Sequence, residues 1–139
     1  MRLLVASVIA RLRTDALIGL VFDTAPGAFG QPAAPRIDSS KIGKHVIVRP
    51  AYDSIRYERI AGGRSAGTVY LQLVQVAWHP DEVAAVRRRV TRLLDDWSPL
   101  PGATGMRESQ AILGEDRDVT PSVPYAISEY RVELPGETR

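Results

Sequence analysis

The sequence predicts an α+β domain, a largely antiparallel sheet with two main helices packed on one face. Three observations lead there. Apolar residues recur at three- and four-residue spacing near the N-terminus and again over Asp81 to Trp97. Stretches rich in β-branched residues lie between those two segments and after the second. Helical and extended segments are grouped, and no internal repeat is visible.

Taken in order, Arg2 to Ala16 reads as an amphipathic helix, with Leu4, Val5, Val8, Ile9 and Leu12 on one side. Leu17 to Asp23 is apolar and β-branched enough for a short strand, and Thr24-Ala25-Pro26-Gly27 is a turn. Gly27 to Lys44 reads as a long loop of the kind that is functional or mobile, placed to reach a neighbouring subunit. His45 to Ala51 is a strand, with Pro50 marking an edge or a bulge. Ser54 to Ile60 continues it or forms a second strand, and Ala61 to Gly67 is a flexible connection.

Thr68 to His79 is the strongest strand pattern in the chain. Its parity changes midway: Val69, Leu71 and Leu73 share one face, and Val74, Val76 and Trp78 share the other. Either a bulge lies near Leu73 or both faces are covered. Asp81 to Trp97 is the clearest helix, with a stripe of Val83, Val86, Val90, Leu93, Leu94 and Trp97. Pro80 suits the first turn, and Asp81 and Glu82 suit the positive end of the helix dipole. A strand near Ser109 to Gly114, a turn over Glu115 to Pro124 and a final strand from Tyr125 to Leu134 complete one domain spanning 1–139, with a short tail from Pro135.

At 139 residues, 45% apolar and 24% charged, the chain has ordinary globular composition. No run of eighteen apolar residues is present, so no membrane span is expected. Arg11 and Arg13 follow the apolar run Leu3 to Ala10 where a signal cleavage site would stand, so export is not expected. Without cysteine there is no disulfide or thiolate chemistry, which fits manufacture in the cytoplasm. The net charge of +2 is too small to argue for nucleic acid, but its distribution is uneven. Arg36 to Arg64 holds seven Lys/Arg against three Asp/Glu, and Glu115 to Arg139 holds six acidic against three basic residues. Such halves can be complementary surfaces between identical subunits, or simply two solvated faces.

Enzyme chemistry has few candidates. The two histidines, His45 and His79, are both expected on strands and far apart, and His79 reads as a strand end that caps the next helix. No His and carboxylate spacing matches a zinc site. Glu115-Asp116-Arg117-Asp118 lacks the glycine and bidentate glutamate of a calcium loop and reads as a solvated acidic turn. Gly62 to Gly67 precedes a strand, not a helix, so it is a hairpin connection and not a phosphate loop. Arg88, Arg89 and Arg92 fall away from the apolar stripe, and with Arg87 they offer a basic helix face. That face suits a DNA backbone, an acidic partner or plain solvent.

Several stretches together resemble the tail-terminator, or tail-completion, proteins of long-tailed bacteriophages. They are the N-terminal helix, the Val21-Phe22-Asp23-x-x-Pro26-Gly27 turn, the Pro-rich loop into His45 to Ala51, and the Gly-rich hairpin into Val69 to Trp78. The helix from Asp81 to Leu93-Leu94-Asp95 and the late Tyr125 to Leu134 strand complete the pattern. The resemblance covers most of the chain as an order of elements. Its most specific piece is a strand ending in Trp, a short turn and a helix ending Leu-Leu-Asp.

The resemblance implies a non-enzymatic virion protein without cofactor or metal. It would form a ring, commonly a homohexamer, at the head-proximal end of the tail tube. That ring stops tube polymerisation and joins the tail to the head. Its partners would be copies of itself, the tail tube protein and the head–tail connector or stopper protein, with DNA passing through the lumen without sequence-specific binding and no membrane contact. Ring contacts are heterologous, so each subunit needs two different lateral surfaces. The charge split places Arg56, Arg59 and Arg64 against Glu115, Asp116 and Asp118 of a neighbour. The alternatives are a head-closure or stopper component and, from another class, a small ferredoxin-like ligand-binding or enzymatic domain, which a pocket with convergent titratable residues would favour.

Overall fold

The computed structural model describes residues 2–27, 30–31, 33–51, 56–60, 64–118 and 122–135, and for 56–60 and 64–66 it describes the backbone. Helix α1 (Arg2–Leu12) ends earlier than the sequence predicts. The Asp15 carboxylate accepts a hydrogen bond from the Leu17 amide at 3.0 Å and starts a single 3-10 turn, Ala16–Ile18. Gly19, at φ +93°, ends that turn, so the first strand, β1, is only Leu20–Phe22. A Cβ at Gly19 would fall 2.2 Å from the Lys44 carbonyl oxygen, so this close crossing requires glycine.

The other elements are β2 (His45–Pro50), β3 (Arg56–Ile60), β4 (Arg64–Val76), α2 (Pro80–Leu94), β5 (Arg107–Asp116) and β6 (Val123–Leu134). They form one six-stranded sheet in the order β1-β2-β4-β6-β5, with β3 also paired to β4. The β1–β2 pair is parallel and every other pair antiparallel. Arg56–Ile60 is therefore a strand of its own. It pairs with residues 64–68 of β4, while β2 pairs with residues 71–76. Because β6 pairs with residues 67–76, β2 and β3 must share the opposite edge of β4. Ser54 and Ile55, Ala61 to Gly63, most of the 135–139 tail and parts of the 27–44 and 115–124 segments lie outside the described residues.

One face of the sheet carries the helices. Val46 and Val48 of β2, Val69, Leu71 and Leu73 of β4, and Tyr130 and Val132 of β6 meet Leu4, Val8 and Leu12 of α1 and Val86, Val90 and Leu94 of α2. Each such side chain contributes roughly 1.5–3 kcal/mol by leaving water. Leu93 and Trp97 pack on this core from its margin, and Arg11 lies 5.3 Å from the Trp97 ring centre while its Nε donates to the Leu93 carbonyl at 3.1 Å. One buried polar pair interrupts the layer: the Gln75 amide and Ser128 hydroxyl are hydrogen-bonded at 3.3 Å on neighbouring strands.

The parity change in β4 has a clear origin. The register against β2 and β6 runs through Leu73 without a shift, so no bulge lies there. The irregularity sits in β5, between Glu108 and Gln110. Val74 and Val76 point to the face away from the helices, and Val76 is itself buried. The second face is therefore covered at this end of the sheet.

Helix α2 stops at Leu94, short of Trp97, because Asp95 turns extended and Asp96 takes φ +59°. The Asp96 amide then donates to the Met106 carbonyl at 2.8 Å, which brings the chain back toward β5. His79 is not on a strand. It is the N-cap of α2, its Nδ1 accepting from the Asp81 amide at 3.1 Å, as the capping reading requires.

Candidate assembly surfaces

The face opposite the helices divides into an apolar and a polar half. Across the strands, Ile47, Val74 and Ile127 form one row, continued by the exposed Ile112 at the sheet edge. His45, Val76 and Tyr125 form the next row, ending on Gly114. A Cβ on Gly114 would lie 2.7 Å from the Tyr125 hydroxyl, so the ring lies over that glycine. Further along, Arg49, Gln72, Glu129 and Gln110 make a polar row. Arg49 Nε donates to Gln72 Oε1 at 3.2 Å and Gln110 Nε2 to Glu129 Oε2 at 3.3 Å.

The apolar half is the floor of a groove of about 760 Å³. Ala25, Pro26, Ala34 and Ile42 of the 27–44 region and its entry line one wall. The segment from Glu115 to Asp118 lines the other. The first wall is more ordered in design than a Pro-rich loop suggests. Arg36 bridges Ile42, the Gly43 amide donates to the Pro35 carbonyl at 2.7 Å, and Asp38 accepts from the Ser40 and Lys41 amides at 2.8 and 3.0 Å. The Ser40 hydroxyl and these amides hold the Asp38 carboxyl below the usual carboxylate range. His45 closes the groove near Phe22, whose ring meets it edge-on at 5.8 Å. Its Nδ1 donates to the Gly43 carbonyl at 2.8 Å, and burial depresses its pKa, so the ring is neutral at pH 7.

The acidic wall is exposed. The Asp118 amide donates to Asp116 Oδ1 at 3.0 Å, and Arg117 Nε stands 3.9 Å from Glu115. Arg56, Arg59 and Arg64 lie on the β3–β4 hairpin, and their side chains fall outside the described residues. The sheet register still decides one point. Glu115 and Asp116 end β5 beside Pro124 and Val123, at the Val76 end of β4, whereas the hairpin occupies the opposite end of β4. From Thr68 to Val76 the strand covers roughly 26 Å. The two charged groups therefore cannot meet within one copy.

The arginines of α2 are used differently from what the sequence suggests. Arg88 and Arg92 are exposed, but Arg89 is half-buried and pairs with Asp15 at 2.9 Å. That hydrogen bond holds the Asp15 carboxyl below its ordinary range. Arg87 pairs closely with Glu108 of β5. Glu108 Oε2 also accepts from the Tyr130 hydroxyl at 3.5 Å, and that hydroxyl lies 3.2 Å from Thr91 Oγ1. Burial pushes the Tyr130 phenol up to about 12. Two members of the basic face are thus clamps that tie α2 to the capped turn after α1 and to the sheet.

Among the described residues, no group of three or more His, Asp or Glu is arranged to hold a metal, and no helix is long and apolar enough to cross a membrane. Neither the known family models nor the curated proteins contain a match to this chain.

Sequence reasoning missed the groove floor. Its signal was the out-of-phase pair Val74 and Val76, which marks a second covered face but does not say what covers it.

Proposed function

We propose that this chain is a virion structural protein that forms a ring at the head-proximal end of a phage tail tube, stops its growth and joins it to the head connector. The observation that carries the reading is the placement of two unlike, complementary surfaces at opposite ends of one sheet. A basic hairpin stands at one end and an acid-walled apolar groove at the other. Closed rings need a heterologous contact of that kind, with different patches of each copy meeting. Both outer strands of the sheet path, β1 and β5, are also edges, and an edge strand presents unpaired backbone groups to a partner. Leu113 on β5 is 71% exposed and Leu20 on β1 is 57% exposed, which adds apolar area at these edges.

The test is tube growth. Added at a few copies per tube, the chain should arrest elongation of purified tail tube protein followed by light scattering, with final length set by the time of addition. Growth that continues at the same rate with the chain in excess removes the reading. Arrest by binding free tube protein at one-to-one stoichiometry removes it as well. A chain that ignores tubes and binds the head connector alone belongs to the head-closure component instead.

A further inference from the structure

We infer that the groove on the helix-free face is the receptor for the β3–β4 hairpin of a second copy of this chain, with the acidic segment at its wall steering the hairpin in. The inference rests on the ring reading and names the contact that would close the ring.

The groove can take an occupant. Its floor is apolar, formed by Ile47, Val74, Val76, Tyr125 and Ile127 on three adjacent strands. Ile47 and Val76 are buried there and Val74, Tyr125 and Ile127 are half-buried, so the floor is partly open, and an open apolar floor on a small domain marks an interaction surface. Its acidic wall carries Glu115, Asp116 and Asp118 against the single Arg117. The occupant should be apolar in part and positively charged.

The hairpin has that composition. Arg56–Ile60 and Arg64 bring three arginines and one glutamate, together with Tyr57 and Ile60. Residues 64–66 of β4 pair with β3 alone, beyond the last β4–β6 pair, Gly67 with Leu134. The hairpin therefore runs roughly 10 Å past the end of β6 at 3.3 Å per residue. The same register puts it at the far end from the groove, so a copy cannot fill its own groove and each copy offers one donor and one receptor. That asymmetry is what a heterologous, ring-closing contact requires. Opposite charges on donor and receptor raise the encounter rate and fix which end enters.

The chain has no cysteine, so single cysteines report the contact directly. We would mix full-length Arg64→Cys and Asp118→Cys copies, free and on tail tubes, and treat them with a short bismaleimide. The inference predicts a covalent dimer in the mixture at least tenfold above the yield from either variant alone. As a second measure, Arg59→Glu with Arg64→Glu should abolish assembly, as should Asp116→Arg with Asp118→Arg. All four changes in one chain should restore it, because donor and receptor are inverted together. Far-UV circular dichroism identifies any variant that fails to fold.

Assemblies that form without the mixed cross-link, or a four-fold variant that stays monomeric though folded, overturn the inference and leave the ring reading standing. The mixed cross-link in a protein that ignores tubes upholds the docking and removes the tail-end role. Neither cross-link nor assembly under any condition overturns both.

Discussion

At the scale of single residues, the most constrained group is Tyr130. It is fully buried, its hydroxyl reaches Thr91 and Glu108, and Glu108 in turn holds Arg87. Removing the hydroxyl in Tyr130→Phe should cost about 1 kcal/mol at pH 7, read from urea unfolding. The pH dependence follows from burial, which raises the phenol to about 12 against an ordinary 10. The folded state then favours the neutral phenol. Its contribution is complete below pH 10 and is lost as pH rises toward 12, by roughly 2–3 kcal/mol. The Phe variant should lack this part of the alkaline loss, and equal alkaline slopes in the two proteins would refute it. None of this was legible in the sequence. Arg87 and Arg89 look like members of an exposed basic face because periodicity reports only which way a side chain leaves the helix. Their partners, Glu108 and Asp15, come from segments 21 and 74 residues away.

At the scale of elements, the helices and strands were largely legible, and their ends were not. The stripe Val83, Val86, Val90 and Leu94 is buried as its spacing requires. The ends moved where a local device intervened: the Asp15 cap and Gly19 shortened the first helix and strand, and the Asp95–Asp96 corner stopped the second helix. Gly19 supplies the sharpest test at this scale. Gly19→Ala should destabilise the fold by about 1–3 kcal/mol from the left-handed backbone alone, with a further loss from the overlap with Lys44. A urea midpoint unchanged from wild type would show that the β1–β2 crossing is looser than described. The alternating pattern of β4 likewise fixed which residues face the helices. It left open whether Val74 and Val76 marked a bulge or a second covered face, because both produce the same shift of phase. The continuous register through Leu73 settles that choice.

At the scale of the whole molecule, the α+β architecture with two helices on one face of a mostly antiparallel sheet follows from the order of patterned segments. The charge split was also visible in the sequence, in Arg56, Arg59 and Arg64 against Glu115, Asp116 and Asp118. The sequence could not say that the two groups stand at opposite ends of the sheet, since that depends on the pairing of β4 with both β3 and β6. Nor could it show the groove, which forms only when β2, β4 and β6 lie side by side next to Pro26, Ala34 and Ile42. The proposed ring role depends on that arrangement. The most direct measurement is electron microscopy of tail tubes incubated with the purified chain, with averaging of their ends. A closed ring of copies, as a hexamer would give, is expected on one end of each tube. Bare tube ends beside a chain that remains monomeric would contradict it.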